Sequence, residues 1–268
     1  MKRQQAIRIL NLILNHRQFM RHWRGERPDP VIFVDNLPDL RPATFLDALY
    51  RQYVQRLGAE RWGDKSPIHT SYIDLIAEIF PIAQFVHIIR DGRDVALSTI
   101  EAYGKDRFYV DLYFAARTWK QRVRKALASA SRLGPDRYYE LRYEQLVANP
   151  EALLREICDF LGEVYVPAMA EPHELARKQL SEKGAHAVVR QPIMLKSAGR
   201  WRREMSQTDQ RLFCAVADDL LDELGYDTIY LGKMSLAERA RLAGLQTKYI
   251  ILESGRRIWQ TVGVFHPH

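Results

Sequence analysis

The chain has 268 residues, 47% of them apolar, and a formal net charge of +7. That length supports one sizeable core or at most two small ones, and the apolar fraction excludes a disordered chain. The charge favours an anionic partner, whether nucleotide, nucleic acid, anionic membrane or acidic glycan, without choosing among them.

Cys158 and Cys214 are the only cysteines, and both fall in amphipathic helical patterns. They read as small core residues, so neither a disulfide framework nor a metal site is expected. No apolar run is long enough to cross a bilayer and no signal-peptide pattern opens the chain. A cytoplasmic protein without a transmembrane segment follows as the expectation.

In chain order, residues 4–22 place Ile7, Leu10, Ile13 and Leu14 at helical spacing among Arg3, Arg8, His16, Arg17 and Arg21. This is a basic amphipathic helix, able to pack on the protein's own core or to lie on a membrane or RNA. Pro28 and Pro30 break the pattern, residues 31–34 read as a short strand, and 39–42 as a turn or cap. Residues 44–57 predict a helix with Leu46, Leu49, Tyr50 and Tyr53 on one face and Gly58 as its C-cap. Trp62-Gly63-Asp64-Lys65-Ser66-Pro67 follows as an extended loop, because Pro67 disfavours helix at Ser66. A second helix is expected over about 70–80.

Phe85, Val86, Ile88 and Ile89 form a short apolar run interrupted only by His87, which suits a parallel strand buried on both faces. Arg90-Asp91-Gly92-Arg93-Asp94 comes next, and Val95 opens a helix containing Ser98. The C-terminal edge of a parallel sheet followed by a helix N-terminus is an anion site by geometry, and Arg90 can add a bidentate grip. The residues alone leave a solvated, ion-paired turn open as the other reading.

Residues 110–131 predict a long helix with Tyr113, Ala116, Trp119, Val123 and Leu127 inside, and Tyr138 to Arg142 a second strand. Asn149 and Pro150 open the next helix as N-cap and N1, and Gly162 closes it. Strand, turn and helix thus recur, as in doubly wound α/β domains. Residues 163–200 are irregular and read as a functional loop or lid. Ser206 with Asp209 caps the clearest amphipathic helix, and Ser235 with Glu238 caps the last one.

A strand ending in Arg90, the RDGRD turn and Ser98 eight residues on resemble the 3′-phosphate segment of the bacterial-type sulfotransferase family, which uses 3′-phosphoadenosine 5′-phosphosulfate. Residues 62–67 resemble that family's lysine loop, Arg142-Tyr143-Glu144-Gln145-Leu146 its adenine-side motif, and Lys196-Ser197-Ala198-Gly199-Arg200-Trp201 its late basic loop. The four stretches stand in the family's order and cover roughly 60–226.

The resemblance implies an α/β fold with a P-loop-NTPase-like parallel sheet flanked by helices. It implies one domain over 1–268, with a core of about 31–230 and a helical tail of about 235–268. The chain shows no Ser-Gly-Thr-Thr type loop and no Walker pattern, so the first strand and phosphate loop are expected to be missing.

By resemblance, Lys65 stabilises the leaving group, Arg90 and Ser98 hold the 3′-phosphate with Arg93 beside them, and Tyr143 contacts adenine. Lys196, Ser197, Gly199 and Arg200 close over the phosphate, and His69 is the nearest candidate for the base. The expected activity is sulfuryl transfer to a hydroxyl or amine acceptor, with fixed cations in place of a metal. The rivals are a nucleotide-binding relative without turnover and a basic RNA-binding protein. No recognised RNA motif supports the latter.

Overall fold

The computed structural model describes residues 1–16, 19, 23, 26–104, 107, 109–174, 197–227 and 232–261, with backbone alone from 256 onward. The chain divides into two compact units, Met1–Ala83 and Gln84–His268.

In the first unit, α1 (Arg3–Asn15), α2 (Pro30–Asp35) and α3 (Pro42–Gln55) are followed by a 3₁₀ turn (Pro67–Ser71) and α4 (Ile73–Ile79). Ala6, Leu10, Leu14, Trp23, Val34, Phe45 and Leu49 form its core. Burying a side chain such as Leu10 or Phe45, at most 2% exposed, contributes about 2 kcal/mol. The stripe of the basic helix therefore packs inward.

Residues 31–34 are helix rather than the expected strand. The Asp29 carboxylate accepts from the amides of Val31 and Ile32, each at 2.9 Å, and Pro30 supplies the preset φ of a first helical residue. Local capping outweighs the β preference of Val-Ile-Phe-Val. The helix expected over 70–80 is likewise split, with Tyr72 breaking it between the 3₁₀ turn and α4.

The second unit holds β1 (Phe85–Ile89), α5 (Gly92–Tyr103), α6 (Leu112–Leu133), β2 (Tyr138–Arg142), α7 (Tyr143–Ala148) and α8 (Pro150–Leu161). After a 3₁₀ turn (Pro167–Ala170) come α9 (Trp201–Glu204), α10 (Gln207–Glu223) and α11 (Leu236–Thr261). Among the described residues β1 and β2 form a parallel pair, in register from Phe85 with Tyr138 to Ile89 with Arg142. The fold is α/β, a small parallel sheet with many helices.

Burial of β1 alternates instead of being continuous: His87 and Ile89 are buried, while Val86 and Ile88 are 36% and 48% exposed. A short apolar run does not reveal whether both faces are covered, and here one is open. Ile89, Trp119, Leu212, Phe213 and Leu221 anchor the core beneath the sheet's C-terminal end. Gly92 is helical and serves by its size. A Cβ there would lie 2.5 Å from Trp119 Cδ2 and 2.7 Å from Phe213 Cζ.

The α8 helix starts at Pro150 as expected, but Asn149 makes no side-chain cap. Gly162 closes it at φ +70°. Ser206 caps α10 by accepting from the Asp209 amide at 3.1 Å. Ser235 and Glu238 exchange bonds as a capping box, the Ser235 amide donating to Glu238 Oε2 at 2.8 Å and the Glu238 amide to Ser235 Oγ at 3.3 Å. Arg211 adds a charged bond to Glu238 at 2.6 Å and holds its carboxyl down at about 2.

Candidate functional site

In the second unit the chain leaves β1 at Ile89 and turns into α5 through Asp91, whose side chain accepts from the Arg93 amide at 2.9 Å. The Asp91 amide donates to Glu144 Oε1 at 3.0 Å, and Glu144 Oε2 takes the Tyr226 hydroxyl at 3.2 Å. Glu144 thus ties the turn after β1 to the turn after β2. Burial first, then the Glu144 charge, pushes the Tyr226 hydroxyl well above its ordinary value, so it remains a donor.

Arg90 leaves the strand end with its guanidinium 4.8 Å over the Tyr143 ring. Its Nη2 donates to the Ser197 carbonyl oxygen and stands 3.5 Å from Asp94 Oδ2. The Tyr143 hydroxyl lies 2.8 Å from Ser197 Oγ. Residues from three separate motifs therefore meet at the C-terminal edge of the sheet. Arg90 Nε is buried without a partner among the described residues. A buried guanidinium N–H left unbonded is costly, and it suits a site that awaits an anionic oxygen.

Asp94 is fully buried and accepts from the Gly199 amide at 2.7 Å and the Trp201 amide at 2.8 Å. Gly199 sits at φ +69°, a conformation natural to glycine and strained for other residues. Neither Asp94 nor Glu144 was singled out by sequence. An acidic residue in a helix's first turn signals dipole compensation, and nothing in local spacing says that it receives amides 53 to 107 positions away.

The other motif residues are placed differently. Arg93 is 1% exposed, with Nε and Nη2 on Asp91, Nη1 on the Asp227 carbonyl oxygen, and its guanidinium 3.5 Å above the Trp201 ring. It is a core cation with its donors committed. Arg200 pairs with Glu101 and Glu204. Ser98 lies on α5, partly buried, one turn beyond Asp94. Lys196 lies outside the described residues.

Lys65 and His69 belong to the first unit. The Trp62 ring stacks on Tyr50 at 4.4 Å and its Nε1 donates to Asp47 at 2.8 Å, while the Tyr50 hydroxyl donates to Asp64 at 2.8 Å. Burial and then the Asp64 bond raise the Tyr50 hydroxyl far above its usual range, so it stays protonated. These bonds strap the loop to α3 from both sides of Gly63. Lys65 is exposed at the end of the strap. Asp64 stands 3.6 Å from His69 Nε2, so its carboxylate faces Tyr50 and His69.

A cavity of about 300 Å³ opens at α2 and α3, lined by Ile32, Phe33, Leu37 and Gln52 among others. None of the motif residues lines it. Among the described residues there is no cluster of three or more histidine, cysteine and carboxylate side chains disposed to hold a metal. Nor is any described helix long and apolar enough to cross a membrane.

The model of the sulfotransferase family matches residues 8–167, which exceeds half of the chain. The chain belongs to the sulfotransferase family.

It is similar to the omega-hydroxy-beta-dihydromenaquinone-9 sulfotransferase of Mycobacterium tuberculosis, 34% identical over 130 residues, 40% of this chain and 31% of the relative. It is also similar to the protein-tyrosine sulfotransferase of Drosophila melanogaster, 28% identical over 177 residues, 63% of this chain and 35% of the relative. The matches thus span about a third of either sulfotransferase. Among solved structures, the sulfotransferase domain of the Synechococcus PCC 7002 olefin synthase superposes with a TM-score of 0.58 at 24% identity, covering 84% of this chain and 81% of that one. That likeness establishes the fold.

Proposed function

We propose that the chain binds 3′-phosphoadenosine 5′-phosphosulfate and transfers its sulfuryl group to a hydroxyl or amine acceptor. One observation carries this reading: Arg90, Tyr143 and Ser197 meet at the end of β1, with Arg90 Nε buried and unbonded among the described residues. In it, Arg90 grips the 3′-phosphate, with Ser98, Ser197 and the Gly199 loop beside it, and the Tyr143 ring receives adenine. Lys196 would add positive charge from the same stretch of sequence, and Arg200 would do so by leaving Glu101 and Glu204. Arg93 is left out, because Asp91 and Asp227 already take its donors.

The transfer breaks the bond between sulfur and the bridging phosphate oxygen, whose electron pair stays on the phosphate. A bond forms from the acceptor's oxygen or nitrogen to sulfur, and the acceptor's proton passes to a base. Charge grows on the leaving phosphate, so a fixed ammonium beside it lowers the barrier, as in phosphoryl transfer. Lys65 takes that role here and His69 takes the proton.

Both relatives named above act, by their names, on acceptors bearing a hydroxyl. Hydroxyl acceptors are therefore the first to test. The experiment incubates the full chain with donor radiolabelled in the sulfuryl group and a panel of phenols, aliphatic alcohols and amines. Transfer to at least one acceptor, slowed roughly a hundredfold or more by Lys65→Ala, supports the reading. Tight binding of adenosine 3′,5′-bisphosphate with no transfer to any acceptor replaces it with a nucleotide-binding relative.

A further inference from the structure

We propose that Asp94 is the positioning residue of this anion site: its buried carboxylate holds the Gly199–Trp201 segment against the end of β1, and so sets the place of Ser197 on Arg90 and Tyr143. The inference rests on the reading of Arg90 as an anion ligand.

Each oxygen of Asp94 has its own task. Oδ1 accepts from the Trp201 amide at 2.8 Å, and Oδ2 accepts from the Gly199 amide at 2.7 Å while standing 3.5 Å from Arg90 Nη2. The side chain is wholly inaccessible. Two residues upstream of Gly199, Ser197 gives its carbonyl oxygen to Arg90 and its hydroxyl to Tyr143. The loop is therefore pinned by backbone amides at one end, and it meets both ligand-gripping side chains at the other. The carboxylate that takes both amides belongs to α5, the helix that the Arg90 turn opens.

A carboxylate is an odd neighbour for an anion site, and that oddness makes the idea testable by sign. Simple electrostatics says that removing a negative charge close to Arg90 should tighten the grip on a phosphate. Positioning says the reverse. In Asp94→Asn one oxygen becomes an amide NH₂, which faces a backbone N–H donor instead of accepting from it. The loop then loses one of its two pins.

The experiment titrates the full-length chain with adenosine 3′,5′-bisphosphate by calorimetry, comparing wild type with Asp94→Asn, Arg90→Ala and Leu212→Ala. Leu212 lies in the same core, 2% exposed, and its side chain carries no polar atom that could bond the site groups, so it controls for lost stability. Expected are a loss of roughly tenfold or more in affinity for Asp94→Asn and for Arg90→Ala, and wild-type affinity for the folded Leu212→Ala protein. If Arg90→Ala weakens binding while Asp94→Asn leaves it unchanged or tightens it, the positioning role is overturned and the site reading stands. If Arg90→Ala changes nothing, the site reading itself fails. Hydrogen exchange on wild type covers an Asp94→Asn chain that does not fold. The Gly199 and Trp201 amides should then be as protected as those of α5, and free exchange at both overturns the proposal.

Discussion

The Tyr143 hydroxyl lies 2.8 Å from the Ser197 hydroxyl across 54 positions of sequence, with Arg90 stacked on the same tyrosine ring. The ring and the hydroxyl have separable duties. Tyr143→Phe keeps the surface beneath Arg90 and removes one hydrogen bond, so bisphosphate affinity should fall only about two- to tenfold, on the order of 1 kcal/mol. Tyr143→Ala removes the platform as well and should cost clearly more. Calorimetric titration of the two variants checks the order, and equal losses would show that the ring contributes nothing.

Gly92 should not tolerate a methyl group. The added Cβ would fall 2.5 Å from Trp119 and 2.7 Å from Phe213, both buried ring systems with little room to retreat. Overpacking of this kind costs about 1–3 kcal/mol. Gly92→Ala should therefore lower the denaturation midpoint in urea, even though alanine is the better helix former. A midpoint equal to or above wild type would refute the packing account.

His87 makes the second unit sensitive to acid. It is buried on β1 with its Nδ1 against the Tyr138 hydroxyl, and burial followed by the Arg142 charge lowers its pKa to about 4. The ordinary value is about 6.5. Between those limits the unfolded chain binds a proton that the folded one refuses, so stability rises with pH across this window. The His87 contribution is whole above pH ~6.5 and gone below ~4, on the order of 3 kcal/mol in all. Denaturation curves at several acidic pH values should show this slope, and His87→Leu should flatten it.

Lys65→Ala should separate chemistry from binding. The side chain is exposed, so melting temperature should not move. In the proposed role the lost cation would have met developing charge only in the transition state, so kcat should fall roughly 10²–10³-fold while the KM for donor stays near wild type. A parallel rise in KM with unchanged kcat would assign Lys65 to ground-state binding. Trp62 and Tyr50, which strap the loop, should show a different pattern, with lost stability accompanying lost rate.

Much of this arrangement was legible in the sequence, and the misses have a common cause. Both described strands, the long α6 helix and the caps at Ser206 and Ser235 follow from periodicity and short-range side-chain chemistry. The failures arise where a feature depends on distant parts of the chain or on a stronger local rival. Residues 31–34 look like strand until the Asp29 cap is weighed, and Val86 and Ile88 look buried until the extent of cover is known. Arg93 sits in the right motif, yet Trp201 and Asp227, more than a hundred residues later, claim its guanidinium. Asp94 is hidden from a reading of sequence for the same reason, since its partners are amides that carry no sequence signature.

Two indoles border the Arg90 cluster, Trp119 by donating from Nε1 to the Arg90 carbonyl oxygen at 3.1 Å and Trp201 by lying under Arg93. Indole emission responds to nearby charge and polarity, so the protein carries its own optical probes at the place where a nucleotide would dock. A titration can be followed in unlabelled material, and replacing one tryptophan at a time would tell whether the strand end or the late loop responds first.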